Sequence, residues 1–260
     1  MMLKLLACEV LTREVCHAIV RAPHAVTPVF TPKNRHNQPS ELRRYLQEQI
    51  DQTEHEETAY SAILLGYGLC GNATLGLKAR AIPLVIPRAH DCTTLFLGSK
   101  ERFKEHFSDN PSQSWASVGY SERGDSLLSD SAMRMWLSQG VTYEELAATY
   151  GEENAQYLLD AMQPRDESGK IVLLDVPETR EPGMIKRILD EAARSGLQVE
   201  EVTGSVRLME MLVGADWPDE EFLTVPPGHR IAGVYDQDQV ITAEPVGDDD
   251  IPLDPPSKGE

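Results

Sequence analysis

Residues 61–92 read SAILLGYGLCGNATLGLKARAIPLVIPRAHDC, and this stretch decides the fold class. The apolar runs Ser61–Leu65 and Ile82–Ile86 predict buried β-strands, because each is short, rich in aliphatic side chains and followed by glycine or proline. Glycine, cysteine and histidine come soon after both runs. The stretch therefore predicts two strands of a buried sheet, with chemically active side chains just beyond the strand ends.

Strands and helices alternate along the rest of the chain. Three more strands are predicted at Leu3–Ala7, Ile171–Leu174 and Leu197–Val202. Helices are predicted over Glu41–Glu54, where an aliphatic residue recurs every fourth position, and through Ile185–Ala193, which Gly196 terminates. This alternation is typical of a largely parallel sheet with helices on both faces, so we expect a Rossmann-like α/β fold.

Four regions are expected along the chain. They are an N-terminal α/β half over 1–110, a helical insertion over 111–165, a C-terminal α/β half over 166–243 that completes two βαβ halves, and a disordered acidic tail over 244–260. Two short helices are predicted in the insertion, one opening with the capping box Thr142–Glu145 and one over Asn154–Met162. In the C-terminal half, Phe222–Val225 and Gln239–Ala243 predict a small hairpin or edge pair.

The amino-acid composition excludes some classes of function. The chain has 260 residues, of which 41% are hydrophobic, and 24 Lys and Arg stand against 42 Asp and Glu, a net charge of −18. Such a charge without a basic cluster argues against a nucleic-acid surface. No apolar run approaches the length of a membrane span, and the opening apolar stretch is too short for a secretory signal. We therefore expect a cytoplasmic protein with reduced cysteines, in contact with neither nucleic acid nor membrane.

Three of the four cysteines follow predicted strands. Cys8, Cys70 and Cys92 come after the first, second and third strands, and His90 stands two positions before Cys92. Ligands bind beyond the carboxyl ends of parallel strands, so we expect these four side chains to converge. Cys70, His90 and Cys92 would hold a zinc ion and leave its fourth coordination position open, as activation of a substrate thiol requires. If Cys8 is also a ligand, the shell is closed, and the site is a structural zinc site or an iron–sulfur site.

A simpler interpretation competes with the metal site. Buried cysteines often serve only as small apolar residues, and a histidine near a strand end is often only a hydrogen-bonded polar group. Cys16 and His17, on a predicted helix over Arg13–Arg21, are assigned to this class.

The glycine loop supports another interpretation. Gly66-Tyr-Gly68-Leu-Cys-Gly71 matches the dinucleotide fingerprint after a strand, which makes Gly68, Gly71 and Asn72 candidate cofactor-binding residues. The next strand lacks the acidic residue that would bind a ribose, so glycines that only permit tight turns are favoured. The amides of Gly71–Thr74 are also a candidate anion site.

Several polar residues near these loops are candidates for supporting roles. Arg88, Asn72 and His36 are candidate substrate-binding residues, because Arg88 can clamp an anion and the other two lie in loops near the predicted site. Asp91 is expected to cap a helix starting near Thr93, or else to orient His90. Asp175, at the end of the fourth strand, is a weaker candidate.

These motifs resemble a bacterial and archaeal family known as domain of unknown function 1638. The resemblance covers most of residues 1–235, and it is carried by Cys8-Glu9, Gly66–Asn72, Pro87–Cys92 and Leu97–Arg102, less sharply by Gly119-Tyr120, Trp217 and Pro226–Gly228. The chain departs from the family pattern at Ala73 and Tyr120, where glycine and tryptophan are expected. Cys8, Cys70, His90 and Cys92 match the family's characteristic positions.

The resemblance also implies a biological setting. Members are often encoded near corrinoid proteins and methyltransferases, which suggests a methyl-transfer or corrinoid-linked role. The leading hypothesis is therefore a zinc-dependent protein that activates a thiol for methyl or alkyl transfer, acting on a small-molecule thiol or an anionic substrate, with a corrinoid protein as a partner. The alternatives are a non-catalytic metal-binding or iron–sulfur accessory protein and, third, a dinucleotide-binding oxidoreductase.

Overall fold

Most of the N-terminal half of the chain builds one five-stranded sheet. The structure is a computed structural model, and it describes residues 1–33, 39–108, 110, 113–123, 169–234 and 239–247. In spatial order the sheet is β2-β1-β3-β4-β8, where the first four strands are parallel and β8 is antiparallel at the edge. Its strands are β1 (Met2–Cys8), β2 (Ala25–Thr31), β3 (Ala62–Gly66), β4 (Leu84–Pro87) and β8 (Phe222–Val225).

The remaining strands form two smaller units. A three-stranded parallel sheet has the order β5-β6-β7, and an antiparallel pair joins β9 to β10. These strands are β5 (Trp115–Ser117), β6 (Lys170–Asp175), β7 (Gln198–Thr203), β9 (His229–Gly233) and β10 (Ile241–Pro245). The α/β class with a mostly parallel sheet is thus confirmed.

Seven helices lie in the described residues. They are α1 (Thr12–Arg21), α2 (Pro39–Thr53), α3 (Cys92–Leu97), α4 (Lys100–Phe107), α5 (Val118–Glu122), α6 (Pro182–Arg194) and α7 (Arg207–Gly214). The two helices predicted from periodicity are present, since α2 buries Leu42, Leu46 and Ile50 and α6 ends two residues before Gly196, whose φ is +70°. Short 3₁₀ turns, Glu9–Leu11 and Pro177–Thr179, follow β1 and β6.

The large sheet and the small sheet pack on one another through helix α1 and the end of α3. Thr179 Oγ1 donates a hydrogen bond of 2.6 Å to Glu14, a carboxyl that is only 1% exposed. Arg13 binds Glu122 through two hydrogen bonds, and Ser205 N donates to the Phe96 carbonyl at 2.9 Å. The second sheet therefore lies beside the first, next to the 3₁₀ turn that follows Cys8.

Four expectations about secondary structure need correction. Strand β2 was not predicted, because its alternating exposure and Pro28 obscure the apolar pattern of an edge strand. Strand β5 lies in 111–165, where a helical insertion was expected, since its three residues become a strand only by pairing with β6. Phe222–Val225 does not pair with Gln239–Ala243, because it joins β4 instead, while β10 pairs with β9. Glu244 and Pro245, assigned to the flexible tail, belong to β10.

Three predicted features fall outside the described residues: His36, the two helices of the insertion beginning at Thr142 and Asn154, and the tail beyond Gly247.

Candidate functional site

The candidate site begins where the direction of the strand order changes. The chain runs from β1 outward to β2 and then returns to the other side of β1 with β3, so the carboxyl ends of β1 and β3 flank a switch point. Open α/β sheets bind ligands at such crevices. Cys8 is the last residue of β1, and its neighbour Ala7 lies opposite Gly66 of β3.

The loop after β3 packs directly on the loop after β4. Leu69 N and Cys70 N donate hydrogen bonds to the carbonyls of Ala89 and His90, at 2.9 and 3.0 Å. A Cβ at Gly68 would lie 2.7 Å from Asp91 N and 2.8 Å from Ala89 O, which is closer than any side chain is tolerated. Glycine is therefore required at 68 so that the two cysteine-bearing loops can touch.

The close contact of these two loops explains why glycine occurs in the loop after β3, so a bound dinucleotide is not needed to explain it. The fingerprint requires a helix that opens at its last glycine, but residues 70–76 form turns. The amides of Ala73 and Thr74 donate to the carbonyls of Cys70 and Leu69, so they are engaged within the loop. Gly68, Gly71 and Asn72 thus shape a tight turn in this structure, and two of the four amides of the predicted anion site over Gly71–Thr74 are bonded within the loop.

The turn that carries Cys70 is conformationally strained. Cys70, Gly71 and Asn72 have φ values of +48°, +65° and +67°, so three successive residues adopt the left-handed conformation. Each non-glycine residue there costs about 1–2 kcal/mol. Arg43 donates to the Asn72 carbonyl at 2.7 Å, which helps hold the turn in this shape. The strain fixes the position of the Cys70 thiol.

Cys8, Cys70 and Cys92 form a cluster of thiols, called here the thiol cluster. Cys8 is buried, and the other two are partly buried. Burial raises the pKa of Cys8 from 9.0 to about 12, and it also raises the pKa values of Cys70 and Cys92. The charges of Cys8 and Cys70 act on Cys92, and that of Cys8 on Cys70, so the structure brings the three thiols into electrostatic range of one another.

Further polar side chains surround the thiol cluster. Burial raises the pKa of the Tyr67 hydroxyl, which also interacts with the charges of Cys8 and Cys70 and with the Thr31 hydroxyl. Lys33 lowers the pKa of Cys8 slightly against this burial, and its Nζ lies 3.4 Å from the centre of the Tyr120 ring. Sequence reasoning missed Thr31, Lys33 and Tyr67. Thr31 ends a strand that was not predicted, and Lys33 follows it.

Asp91 has the capping role expected for it. It is the N-cap of α3, and its carboxylate accepts hydrogen bonds from Thr93 N at 3.0 Å and Thr94 N at 3.4 Å. Burial raises the pKa of the Asp91 carboxyl, and its charge raises those of Cys70 and Cys92. A cap of this kind fixes the start of α3 and with it the Cys92 side chain.

His90 lies at the protein surface beside α4. Its side chain is exposed, and its ring lies 5.8 Å from that of Phe103 on α4 at an interplanar angle of 31°. Both rings line a pocket of about 280 Å³. The other residues of the pocket are Arg88, Asp91, Thr94, Lys100, Lys104, Ser108 and Val240. This surface, called here the α4 pocket, borders the thiol cluster through Asp91.

The Arg88 guanidinium donates hydrogen bonds to backbone carbonyls of distant segments. Its Nε donates to the Asp219 carbonyl at 2.6 Å, and its Nη1 donates to the carbonyls of Gln239, at 2.8 Å, and Ile241. These bonds tie β10 and the segment before β8 to the end of β4. Two of the three nitrogens that would clamp an anionic substrate are therefore already bound to the backbone.

Three further residues singled out in the sequence lie elsewhere in the fold. Cys16 is exposed on α1, so it is not a buried packing residue, and His17 Nε2 lies 3.7 Å from the Glu210 carboxylate. Asp175 ends β6 of the small sheet, where one oxygen lies 3.4 Å from Arg180.

The described side chains do not by themselves form a metal shell. In the part of the chain that the structure covers, no three His, Cys, Asp or Glu side chains are grouped as a metal ion requires. Ligation by the thiol cluster would need the cysteine side chains to rotate and lose their protons. The helices of the described residues are also too short or too polar to cross a bilayer.

The fold and the site define an α/β protein with a thiol cluster at the switch point of its parallel sheet. The chain belongs to the family described as "Protein of unknown function (DUF1638)", which matches residues 30–213. Cys70, His90 and Cys92 lie within the matched residues, whereas Cys8 precedes them. No curated protein and no solved structure matches the chain.

Proposed function

We propose that the thiol cluster binds a soft metal ion, zinc foremost, and serves thiol activation in methyl or alkyl transfer. One observation supports this most: Cys8, Cys70 and Cys92 come from the ends of three neighbouring parallel strands and act electrostatically on one another. Thiolates are the ligands that zinc prefers. Core packing alone does not explain why three cysteines lie at the carboxyl-terminal edge of the sheet, where open α/β sheets bind ligands.

The raised pKa values fit a cluster that needs a cation to ionise. Burial raises the pKa of all three thiols, and the neighbouring charges of Asp91 and of the other cysteines add to this effect at Cys70 and Cys92. The thiols therefore stay protonated when no cation is near. A bound divalent ion reverses this effect, because coordination deprotonates a thiol outright. A zinc ion held by these thiols would lower the pKa of a substrate thiol and so supply a nucleophilic thiolate at neutral pH.

The α4 pocket gives a substrate access to this metal position. Asp91 belongs to the pocket wall and also acts on the thiols of Cys70 and Cys92, so the two regions are contiguous. We assign the three thiols to the metal and the open fourth position to the pocket side, beside His90. The residues that line the α4 pocket then bind the substrate, and helix α3, which Asp91 caps, holds Cys92 in place.

A closed site is the second candidate. Because Cys8 belongs to the same cluster, a rotation of His90 inward would complete a Cys3His shell for zinc or an iron–sulfur cluster, and the protein would then be an accessory protein. The dinucleotide-binding oxidoreductase is not supported by the turn that follows Gly71.

The wider setting is also proposed from the sequence. We place the protein in the cytoplasm in corrinoid-linked one-carbon metabolism, with a corrinoid protein as a partner and no nucleic acid or membrane bound. For the fold, the strand order supports a Rossmann-like sheet and a second βαβ half after the insertion.

The test is elemental analysis of protein purified anaerobically without added metal, with the visible spectrum recorded. Cys70→Ser and Cys92→Ser should lose most of the metal, whereas Cys16→Ser, which changes an exposed thiol, should keep it. His90→Ala should retain metal if the fourth position is open and lose it if the shell is closed. Wild-type protein without metal, or full metal in both Cys70→Ser and Cys92→Ser, would refute the proposal.

A further inference from the structure

The α4 pocket is a cationic recess on a strongly acidic protein. Arg88, Lys100 and Lys104 all contribute to its wall, although the chain carries a net charge of −18. Asp91 is the one carboxylate among the lining residues, and it is turned toward the amides of α3 that it caps. The electrostatic potential in the pocket therefore favours an anion.

A buried hydroxyl in the same wall lacks a hydrogen-bond partner. Thr94 is only 1% exposed, and its Oγ1 makes no hydrogen bond within the described residues. Leaving a buried hydroxyl unpaired is costly, because it loses its bonds to water and gains none. An anionic oxygen bound in the pocket would accept the proton of this hydroxyl. The cationic wall and the Thr94 hydroxyl thus indicate the same kind of ligand independently.

We propose that the α4 pocket binds the phosphate group of a small phosphorylated molecule, with the organic part of that molecule against Phe103. Carboxylates are best recognised by a bidentate arginine, but Arg88 already spends Nε and Nη1 on backbone carbonyls. Lys100 and Lys104, both on α4, bring two positive charges to the wall that suit a phosphate as point charges. Lys100 Nζ also donates a hydrogen bond to the Glu220 carbonyl, which is neutral and leaves the lysine charge in place.

The shape of the pocket accommodates a ring beside the phosphate. The Phe103 ring, whose centre lies 5.8 Å from that of His90 and 5.5 Å from that of Phe107, gives the pocket an aromatic wall. The volume of 280 Å³ equals the space of roughly nine water molecules, which is enough for a phosphate and a six-membered ring.

This inference deepens the proposed function, because the pocket is where the substrate would meet the metal. Only the ligand's role as a substrate rests on that function. Phosphate binding itself depends on α4 and Thr94, so it is measurable on protein that carries no metal.

The experiment is calorimetric titration of the full-length protein with inorganic phosphate, phenyl phosphate and benzoate. Phenyl phosphate should bind several-fold more tightly than either of the other two, because it alone offers both the phosphate and the ring. Lys104→Ala should weaken phenyl phosphate about tenfold. The matched control is Lys186→Ala, which removes the same charge from an exposed position on α6 and should change nothing.

Thr94→Val separates binding from folding. The substitution keeps the shape of the side chain and removes an unpaired hydroxyl, so it should leave the urea midpoint unchanged or raised while phosphate affinity falls several-fold. A variant that binds phosphate as well as the wild type would overturn the role of Thr94 and with it the inference.

Three other outcomes would also overturn it: no phosphate binding, benzoate binding as tight as phenyl phosphate, or equal losses in Lys104→Ala and Lys186→Ala. Titration of folded Cys92→Ser distinguishes this inference from the proposed function. Phosphate binding that persists after the metal is lost supports the pocket by itself, whereas its loss in that variant contradicts an independent site. The metal content of the wild type decides the proposed function separately.

Discussion

Replacement of Gly68 by alanine should separate the two loops that carry the thiol cluster. The new Cβ would lie 2.7 Å from Asp91 N, 2.8 Å from Ala89 O and 2.9 Å from Asp91 Cα. All three are backbone atoms, so no side-chain rotation relieves the contact. The loop after β3 must therefore move away from the loop after β4.

The magnitude follows from what that movement breaks. Overpacking of a buried position costs about 1–3 kcal/mol. The two hydrogen bonds from Leu69 N and Cys70 N to the facing loop contribute about 1 kcal/mol each. We therefore expect Gly68→Ala to lower the free energy of unfolding by roughly 3–5 kcal/mol if both bonds are lost.

The assay combines urea denaturation with labelling of the native thiols by a disulfide reagent. Gly214→Ala is the matched control, because a Cβ there meets no atom within 4 Å at a helical position, and alanine should be neutral or stabilise by up to about 1 kcal/mol. In Gly68→Ala, Cys70 and Cys92 should react faster than in the wild type. Unfolding and labelling indistinguishable from the Gly214→Ala control would refute the requirement for close approach of the two loops.

Three further predictions address single groups. At pH 8, iodoacetamide should label exposed Cys16 long before Cys8, because a pKa of about 12 instead of 9.0 lowers the thiolate fraction of Cys8 about a thousandfold; equal rates by mass spectrometry would contradict this. Asp91→Ala should cost about 0.5–2 kcal/mol in urea denaturation through loss of the cap, and an unchanged midpoint would exclude the cap as a stabilising contact. Burial raises the pKa of Glu14 above 4.5, so ionisation of this carboxyl lowers the stability of the folded protein as the pH rises above 4.5. Glu14→Gln should therefore stabilise the protein at pH 7 but not at pH 4. An equal gain in stability at both pH values would disprove a cost of burying the charge.

The sequence alone determined the central strands and the class of the fold. Leu3–Ala7, Ser61–Leu65 and Ile171–Leu174 are short, mainly aliphatic runs that suit strands buried on both faces, and each is a strand within a residue or two of its predicted bounds. Edge strands were harder, because β2 is half exposed and β5 is three residues long. Their strand conformation depends on a partner strand that local periodicity does not reveal.

For the candidate site, the sequence determined which residues follow the strands, and the capping role of Asp91 could be predicted from local chemistry. Only the tertiary structure decided how the side chains are used. Arg88, predicted to bind substrate, donates hydrogen bonds to the carbonyls of Asp219, Gln239 and Ile241, which lie 131 to 153 positions away along the chain and so could not be inferred from the local sequence. Lys100, Phe103 and Lys104 form a pocket with His90 only because α4 folds back beside the loop after β4. Side-chain direction and long-range contacts follow from packing of the whole chain, which one stretch of residues does not contain.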